Sequence, residues 1–188
     1  MNTEPNIRES EHDFALVLTG LTGLPDGVED ALFNAGCDDA TIGLRSGRIY
    51  MTFSRSASSL KNAILSAIKD VRRAKIGADV LRVDACNLVT QADIARKIGR
   101  TRQLVHQYMT GQRGPGGFPA PACDICDGSQ LWYWCEVASW LWSSDMIKED
   151  VLREAEDVAC INTVLELESQ KQQNPQLVEE IRSCVECR

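Results

Sequence analysis

The sequence of 188 residues predicts an α+β fold in three parts, preceded by a disordered segment, residues 1–12. Residues 13–84 alternate between apolar patterns of period two, typical of strands, and of period three to four, typical of amphipathic helices. Residues 86–144 contain two short helical patterns around a glycine and then a Pro/Gly-rich stretch. Residues 145–188 are charged and helical in pattern, and they form the predicted C-terminal extension.

The N-terminal part predicts the element order β-α-β-β-α-β. Ser46-Gly47 joins two strands of a hairpin, in which Ile49, Met51 and Phe53 point inward. The predicted elements are a strand at 12–19, a helix at 28–35 ended by Gly36, strands at 41–45 and 48–54, a helix from Ser58, and a strand at 79–83.

This order is typical of a ferredoxin-like sandwich, in which two helices cover one face of a four-stranded antiparallel sheet. We expect the other face to pair with a second copy or to dock on a partner, although the fold alone does not choose a role. Asp38-Asp39 is interpreted as a solvated turn rather than a metal site. No nucleophile with a base, paired carboxylates or phosphate loop stands out, so we do not expect an enzyme.

Residues 90–111, TQADIARKIGRTRQLVHQYMTG, have the spacing of a helix-turn-helix. Ile94, Ala95 and Ile98 share one face of the first helix, and Ala95 is small enough for close packing. Gly99 supplies a turn with positive φ, and Thr101 is the natural N-cap of the second helix. The alternative is a helix pair that packs without any nucleic acid.

The second helix begins at about Arg102 and turns Leu104, Val105 and Tyr108 inward. Arginine binds the O6/N7 edge of guanine and glutamine binds adenine, so the outward residues suit the major groove of DNA. The candidate DNA contacts are Gln91, Arg96, Lys97, Arg100, Thr101, Arg102, Gln103, His106, Gln107 and Arg113.

The distribution of charge supports this interpretation despite a net charge of −7. Residues 82–113 contain six Lys/Arg and two Asp/Glu, whereas residues 114–188 contain five and fourteen. The helix-turn-helix therefore lies in a cationic block, as phosphate binding requires. The acidic remainder predicts only moderate salt sensitivity.

After the motif, a Pro/Gly-rich loop at 111–121 leads into a strand at 131–134 and a helix at 136–141. This order resembles the winged helices of excisionase-like and MerR-type DNA-binding proteins over about residues 88–142. The resemblance implies that Arg113 lies near the DNA backbone, that Phe118 and Trp134 pack under the wing, and that Trp140 with Leu141 closes the core. All four tryptophans, including Trp132 and Trp142, are interpreted as core residues.

Two features depart from that pattern. Cys135 stands where such a helix usually opens on a serine or threonine cap, and the wing carries an acidic insertion, residues 123–127. Together with the N-terminal domain, the module resembles a group of small bacterial helix-turn-helix transcriptional regulators over most of residues 13–142.

In the C-terminal extension, Val151, Ala155, Val158, Asn162 and Leu165 recur at coiled-coil-like intervals. This stripe predicts either a dimer helix or a helix that folds back on its own domain. A second small helix starts at Pro175.

The eight cysteines are expected to be reduced thiols in the cytoplasm, because the sequence shows neither a signal peptide nor an apolar run that would span a membrane. No cofactor is expected. The less favoured alternative is a zinc site or redox switch formed by Cys123, Cys126, Cys184 and Cys187. The remaining four, Cys37, Cys86, Cys135 and Cys160, are interpreted as small core residues.

Together these patterns predict a homodimeric, sequence-specific regulator that binds double-stranded DNA, most simply a repressor. One alternative is an excisionase-like architectural factor that bends DNA. The other is an antitoxin-like adaptor that binds a protein partner through the N-terminal sheet or the C-terminal helices.

Overall fold

The computed structural model describes residues 9–124 and 130–186. In those residues it is a mixed α+β structure with seven helices and a four-stranded antiparallel sheet. The described chain divides into two compact units, a first unit of residues 9–84 and 160–186 and a second unit of residues 85–124 and 130–159. The predicted extension, residues 145–188, is thus divided between both units. No described helix is long and apolar enough to cross a membrane.

The first unit has the predicted element order β-α-β-β-α-β. The strand order in its sheet is β2-β3-β1-β4, and each neighbouring pair is antiparallel. The elements are β1 (Ser10–Thr19), α1 (Val28–Asn34), β2 (Ala40–Arg45), β3 (Arg48–Ala57), α2 (Leu60–Arg73) and β4 (Asp79–Val83).

The core of the first unit lies on one face of this sheet. Ile49, Met51 and Phe53 alternate inward along β3 as predicted, and the ring of Phe53 stacks on Phe14 of β1 with 5.1 Å between centroids. The apolar stripe of α2 is fully or nearly fully buried, which places this helix on the core. The buried α2 residues are Ala63, Ile64, Ala67, Ile68 and Val71.

The opposite face of the sheet is largely polar along β2 and β3. Thr41, Thr52 and Ser54 are exposed there, and Tyr50 is half-buried. Val17, which lies opposite Tyr50, is buried on this face. An antiparallel sheet commonly has one solvated face, and the expectation that this face pairs or docks stays a prediction.

A buried arginine joins three segments of the first unit. Arg55 Nε and Nη2 donate to the two carboxylate oxygens of Asp39 at 2.6 and 2.8 Å. Its Nη1 donates to Asp70 Oδ2 at 2.8 Å and to Ser66 Oγ at 3.0 Å, and Nη2 donates to the carbonyl of Gly36 at 2.7 Å. All five guanidinium hydrogens therefore have acceptors, which is what burial of this charge requires.

The Arg55 cluster corrects the interpretation of Asp38-Asp39. Asp38 is exposed, but Asp39 is an ion-pair partner rather than a solvated turn residue, because the loop after α1 turns its carboxylate toward Arg55. The Asp39 hydrogen bond is the main reason that the pKa of Arg55 is raised. The nearby thiol of Cys37 is buried, and burial raises its pKa to about 11, so this cysteine is the small core residue predicted.

The second unit contains a small three-stranded sheet with the order β5-β7-β6 and three helices. Its core is apolar and rich in tryptophan. Its elements are β5 (Leu88–Val89), α3 (Gln91–Lys97), α4 (Arg102–Met109), β6 (Cys123–Asp124), β7 (Gln130–Tyr133) and α5 (Trp134–Ser143).

Two C-terminal helices follow, α6 (Glu149–Gln173) and α7 (Pro175–Glu186). Leu152 and Ala155 of α6 are buried in the core of the second unit. Farther along, Asn162 accepts from the backbone N–H of Val83 at 2.8 Å and donates to its carbonyl at 3.2 Å, and Leu165 is buried. Of the two alternatives for the stripe, the structure therefore supports a helix that folds back on its own chain.

The cysteine predictions are only partly correct. Cys135 is half-buried, but Cys86 and Cys160 are exposed. Cys86 lies in the connection between β4 and β5, and Cys160 precedes Asn162 by two residues, which turns it roughly 200° around the helix from the contact with β4.

We expect Arg55→Met to lower the free energy of unfolding by about 3 kcal/mol, because it leaves the half-buried Asp39 without its cation and Asp70 with only the exposed Arg73. Urea unfolding would measure the loss. The matched control is Arg72→Met, which removes the exposed pair with Asp79 and should cost less than about 1 kcal/mol. Equal losses in both variants would contradict a structural role for the buried cluster.

Candidate nucleic-acid interface

Helix α3 begins with a reciprocal capping box. Thr90 Oγ1 accepts from the N–H of Asp93 at 3.2 Å, and Asp93 Oδ2 accepts from the N–H of Thr90 at 3.0 Å and from its hydroxyl at 2.7 Å. The hydroxyl and backbone hydrogen bonds of Thr90 hold the pKa of Asp93 below its usual value. Asp93 also pairs with Arg96 at 2.9 Å, so the start of α3 is fixed by both caps and charge.

The turn between α3 and α4 has the predicted geometry. Gly99 has a φ of +62°, in the region that favours glycine, and the N–H of Arg100 donates to the carbonyl of Ala95 at 2.9 Å. Thr101 then caps α4, because its hydroxyl oxygen accepts from the N–H of Leu104 at 3.2 Å. The sequence therefore ends one helix and begins the next within four residues.

The two helices pack through small and branched residues. Val105 of α4 is fully buried, in the same core cluster as Ile94 and Ala95 of α3. Tyr108, one turn after Val105, lies against the ring of Trp140 with 5.4 Å between centroids. This packing orients α4 and determines which of its residues remain outside.

The outward face of α4 carries three of the four predicted base-contacting residues. Arg102, Gln103 and His106 are exposed, together with the cap residue Thr101. Gln107, the fourth, is half-buried and so less exposed than the other three. The following loop returns to α4 at this point, where the N–H of Arg113 donates to the carbonyl of Gln107 at 3.1 Å.

Gln91 has a positioning role that the sequence did not show. Its Nε2 donates to the backbone carbonyl of Arg102 at 2.7 Å. The first residue of α3 is therefore joined to the first residue of α4. This bond uses one donor of the Gln91 amide, and the predicted DNA contact by Gln91 stays a prediction.

Cations surround this face. Within residues 9–124 and 130–186, Arg100, Arg102 and Arg113 are exposed and make no ion pair. Lys97 is also exposed, and its ammonium group lies 5.0 Å from the ring centroid of Trp134, which holds the side chain in place. Arg96 differs from these four, because its charge is partly neutralised by Asp93.

A groove of about 550 Å³ runs beside α4. Its walls come from the start of α3, the outward side of α4 and the strand β7. Polar side chains predominate among the residues that line it, including Gln91, Arg102, His106, Thr110 and Gln130. Thr110 and Gln130 were not predicted, since neither belongs to the helical pattern from which the other contacts were chosen.

The Pro/Gly-rich loop after α4 is held in place by aromatic residues. Trp140 Nε1 donates to the carbonyl of Gly116 at 2.8 Å, and Trp132 Nε1 donates to that of Pro119 at 3.1 Å. Phe118 lies against both indoles, 5.0 Å from Trp140 and 6.3 Å from Trp132 between centroids. Gly114 has a φ of +85°, which favours glycine, and a Cβ there would also lie 3.1 Å from the ring of Tyr108.

The core assignments of the tryptophans need one correction. Trp132, Trp134 and Trp140 are buried, whereas Trp142 is 45% exposed. Trp142 follows Trp140 by two helical residues and so lies on a different side of α5.

The missing cap of α5 is replaced from a distant part of the chain. Asn87 Oδ1 accepts from the N–H of Cys135 at 3.1 Å, and the carbonyl of Asn87 accepts from the N–H of Trp134 at 2.6 Å. These bonds satisfy first-turn donors that a serine or threonine would normally serve. No local signal in the sequence identifies Asn87, because its partner Cys135 lies 48 residues away and Trp134 directly precedes Cys135.

The four-cysteine zinc hypothesis involves residues beyond the described structure, since Cys126 and Cys187 lie outside it. Cys123 and Cys184 are described, and both are exposed. Among the described residues, no group of three or more potential metal ligands comes together.

Comparisons of this chain with protein-family models, with curated proteins and with solved structures found no match.

We expect Trp140→Phe to destabilise the protein by about 2 kcal/mol, because it removes the indole bond to Gly116 and part of a buried side chain. Hydrogen exchange in residues 111–121 should also become faster. Urea unfolding and amide exchange would measure the two effects. Trp142→Phe, at an exposed position of the same helix, should change neither, and similar effects of both variants would argue against the proposed anchoring of the loop.

Proposed function

We propose that this protein is a sequence-specific regulator of transcription, acting as a repressor, that inserts α4 into the major groove of double-stranded DNA. The observation that carries the proposal is the division of α4 into two faces. Val105 fixes one face in the core, and Arg102, Gln103 and His106 remain exposed on the other.

The chemistry of the exposed face suits the edges of bases. Arg102 offers a planar pair of donors for the O6 and N7 atoms of guanine, and the amide of Gln103 complements N6 and N7 of adenine. An α-helix with its side chains is about as wide as the major groove. The bond from Gln91 to the carbonyl of Arg102 fixes the end of α4 that would enter the groove.

The cations that border α4 are suited to phosphates. Lys97 and Arg100 lie at the end of α3 and in the turn, and Arg113 lies in the following loop. We propose that this loop, with β6 and β7, forms the wing of a winged helix-turn-helix and that Arg113 contacts the DNA backbone. The strand order β2-β3-β1-β4 supports our further proposal that the first unit is a ferredoxin-like domain.

The proposed regulator acts as a homodimer. A helix of eight residues contacts few base pairs, so a single copy would discriminate weakly between sites. Two copies would read half-sites about 34 Å apart, or a multiple of that distance.

Selection of binding sites from random double-stranded DNA tests the proposal directly. We expect the selected sequences to contain a repeated half-site. Enrichment of no sequence by the full chain would contradict sequence-specific binding. A bending assay on the selected site would identify an architectural factor, since such a factor would bend the site strongly.

Arg102→Ala should weaken binding to the selected site by about 1 to 3 kcal/mol and relax the preference at one base pair of each half-site, because the variant loses a bidentate base contact. Fluorescence anisotropy on the site and its single-base variants would measure both effects. Arg153→Ala is the matched control, since Arg153 is an exposed arginine on α6 that pairs with Glu149. Unchanged affinity of Arg102→Ala would show that the base-reading face is misassigned.

Lys97→Ala should instead weaken binding to all sequences evenly, because a phosphate contact carries no base information. The slope of log affinity against log salt concentration should become shallower by about 0.9, which is the contribution of one phosphate contact. Anisotropy titrations at several salt concentrations would show this. A change in base preference without a change in slope would exclude a phosphate role for Lys97.

A second candidate function is an adaptor that binds a protein partner, and the C-terminal helix α7 favours it. Leu177, Ile181 and Val185 are exposed on this helix, and none of its described residues is buried. If the adaptor function holds, a partner complex should survive the triple substitution of Arg102, Gln103 and His106 by alanine, and replacing Ile181 with Asp should abolish it.

A further inference from the structure

The two edge strands of the four-stranded sheet differ in whether their outward backbone groups have hydrogen-bond partners. At β4, the side chain of Asn162 bonds both the N–H and the carbonyl of Val83, which would otherwise be open on that edge. At the other edge, β2 is the outermost strand among the described residues. An edge strand with unpaired backbone groups is a template for another strand, so β2 can accept one.

The register of β2 on β3 shows which backbone groups face outward. The carbonyl of Asp39 accepts from the N–H of Ser54 at 3.3 Å, and Ala40 lies opposite Phe53. Hydrogen-bonded and non-bonded pairs alternate along an antiparallel ladder. The N–H and carbonyl groups of Ala40, Ile42 and Leu44 therefore point away from β3, toward the open edge.

We propose that β2 is the dimer interface, at which it pairs antiparallel with β2 of a second copy around a two-fold axis at Ile42. This interface goes beyond the proposed regulator, since it specifies where the homodimer forms and does not depend on DNA. In this register Ile42 pairs with the partner's Ile42, and Ala40 pairs with the partner's Leu44. All six outward groups of each strand then find partners, as a self-complementary interface requires.

The side chains along β2 agree with this register. Leu44 is 53% exposed although it lies on the same face of the sheet as Ile49, and Ile42 is half-buried. In the dimer Leu44 lies opposite the partner's Ala40 and diagonal to the partner's Ile42. Cross-strand and diagonal pairs of this kind bury apolar side chains together, which accounts for an exposed leucine at the edge.

The charges at the two ends of β2 favour antiparallel pairing with a second copy of the same strand. The exposed Asp38 precedes β2 and Arg45 is its last residue, so the strand has an acidic start and a basic end. Antiparallel pairing brings the basic end of each copy to the acidic start of the other. Parallel pairing would place like charges side by side, which is unfavourable across strands. A strand with this polarity is therefore complementary to itself.

Sedimentation velocity of the full chain in the absence of DNA tests the interface. We expect a concentration-dependent dimer, and Leu44→Lys should raise its dissociation constant at least tenfold by placing a charge among the apolar side chains of the strand pair, opposite the partner's Ala40. The matched control is Thr52→Lys, which adds the same charge at an exposed position of the inner strand β3 and should leave dimerisation unchanged. Circular dichroism of each variant would establish that it folds.

A charge exchange provides a second, independent variant. Arg45→Asp should weaken the dimer, and the double variant Asp38→Arg with Arg45→Asp should restore it, because the strand regains opposite charges at its two ends. A parent chain that remains monomeric would overturn the proposal. So would a dimer that tolerates both Leu44→Lys and Arg45→Asp, since its interface would lie elsewhere.

The dimer proposal and the DNA proposal fail separately. Leu44→Lys should keep the affinity of the parent for DNA that carries one half-site, and it should lose the tighter binding to two half-sites. If the parent failed to bind DNA that carries one half-site, DNA recognition would be refuted, but the sedimentation result would still stand. Equal binding of parent and variant to two half-sites would overturn the use of this interface on DNA.

Discussion

The burial of Val105 between α3 and the tryptophan-rich core is the interaction on which the candidate interface depends. Because α4 has only two turns, one fixed residue determines the direction of every other side chain on it. The close approach is possible because Ala95 is small. The exposure of Arg102 and His106 is therefore a consequence of core packing, and any change that rotates α4 about its axis would replace the outward residues with others.

The loop beyond α4 shows how a segment without regular structure becomes part of the same framework. Prolines and glycines prevent it from forming a helix, and its backbone carbonyls must find donors elsewhere. Two of these donors are indole N–H groups of Trp132 and Trp140, whose rings also bury Phe118. The aromatic side chains thus serve as both core and hydrogen-bond donors, so Arg113 is presented from an anchored loop.

The sequence predicted the features that depend on neighbours along the chain. The positive φ of Gly99, the cap by Thr101 and the alternation in β3 follow from local stereochemistry, and the structure has each of them. Contacts between distant segments were missed, since the partners of Asn87 and Asn162 lie 48 and 79 residues away.

The charge distribution makes a second copy important to the proposed function. Each phosphate contact contributes a slope of about −0.9 to the salt dependence of affinity, so the number of available cations limits the electrostatic part of binding. Lys97, Arg100, Arg102 and Arg113 are the described cations of this region without an ion pair, in a chain of net charge −7. Four cations give one copy modest non-specific affinity. Joining two copies through β2 gives the dimer a second set of four cations, although the charge of each copy is unchanged. The second set raises the affinity for paired half-sites more than the affinity for random DNA.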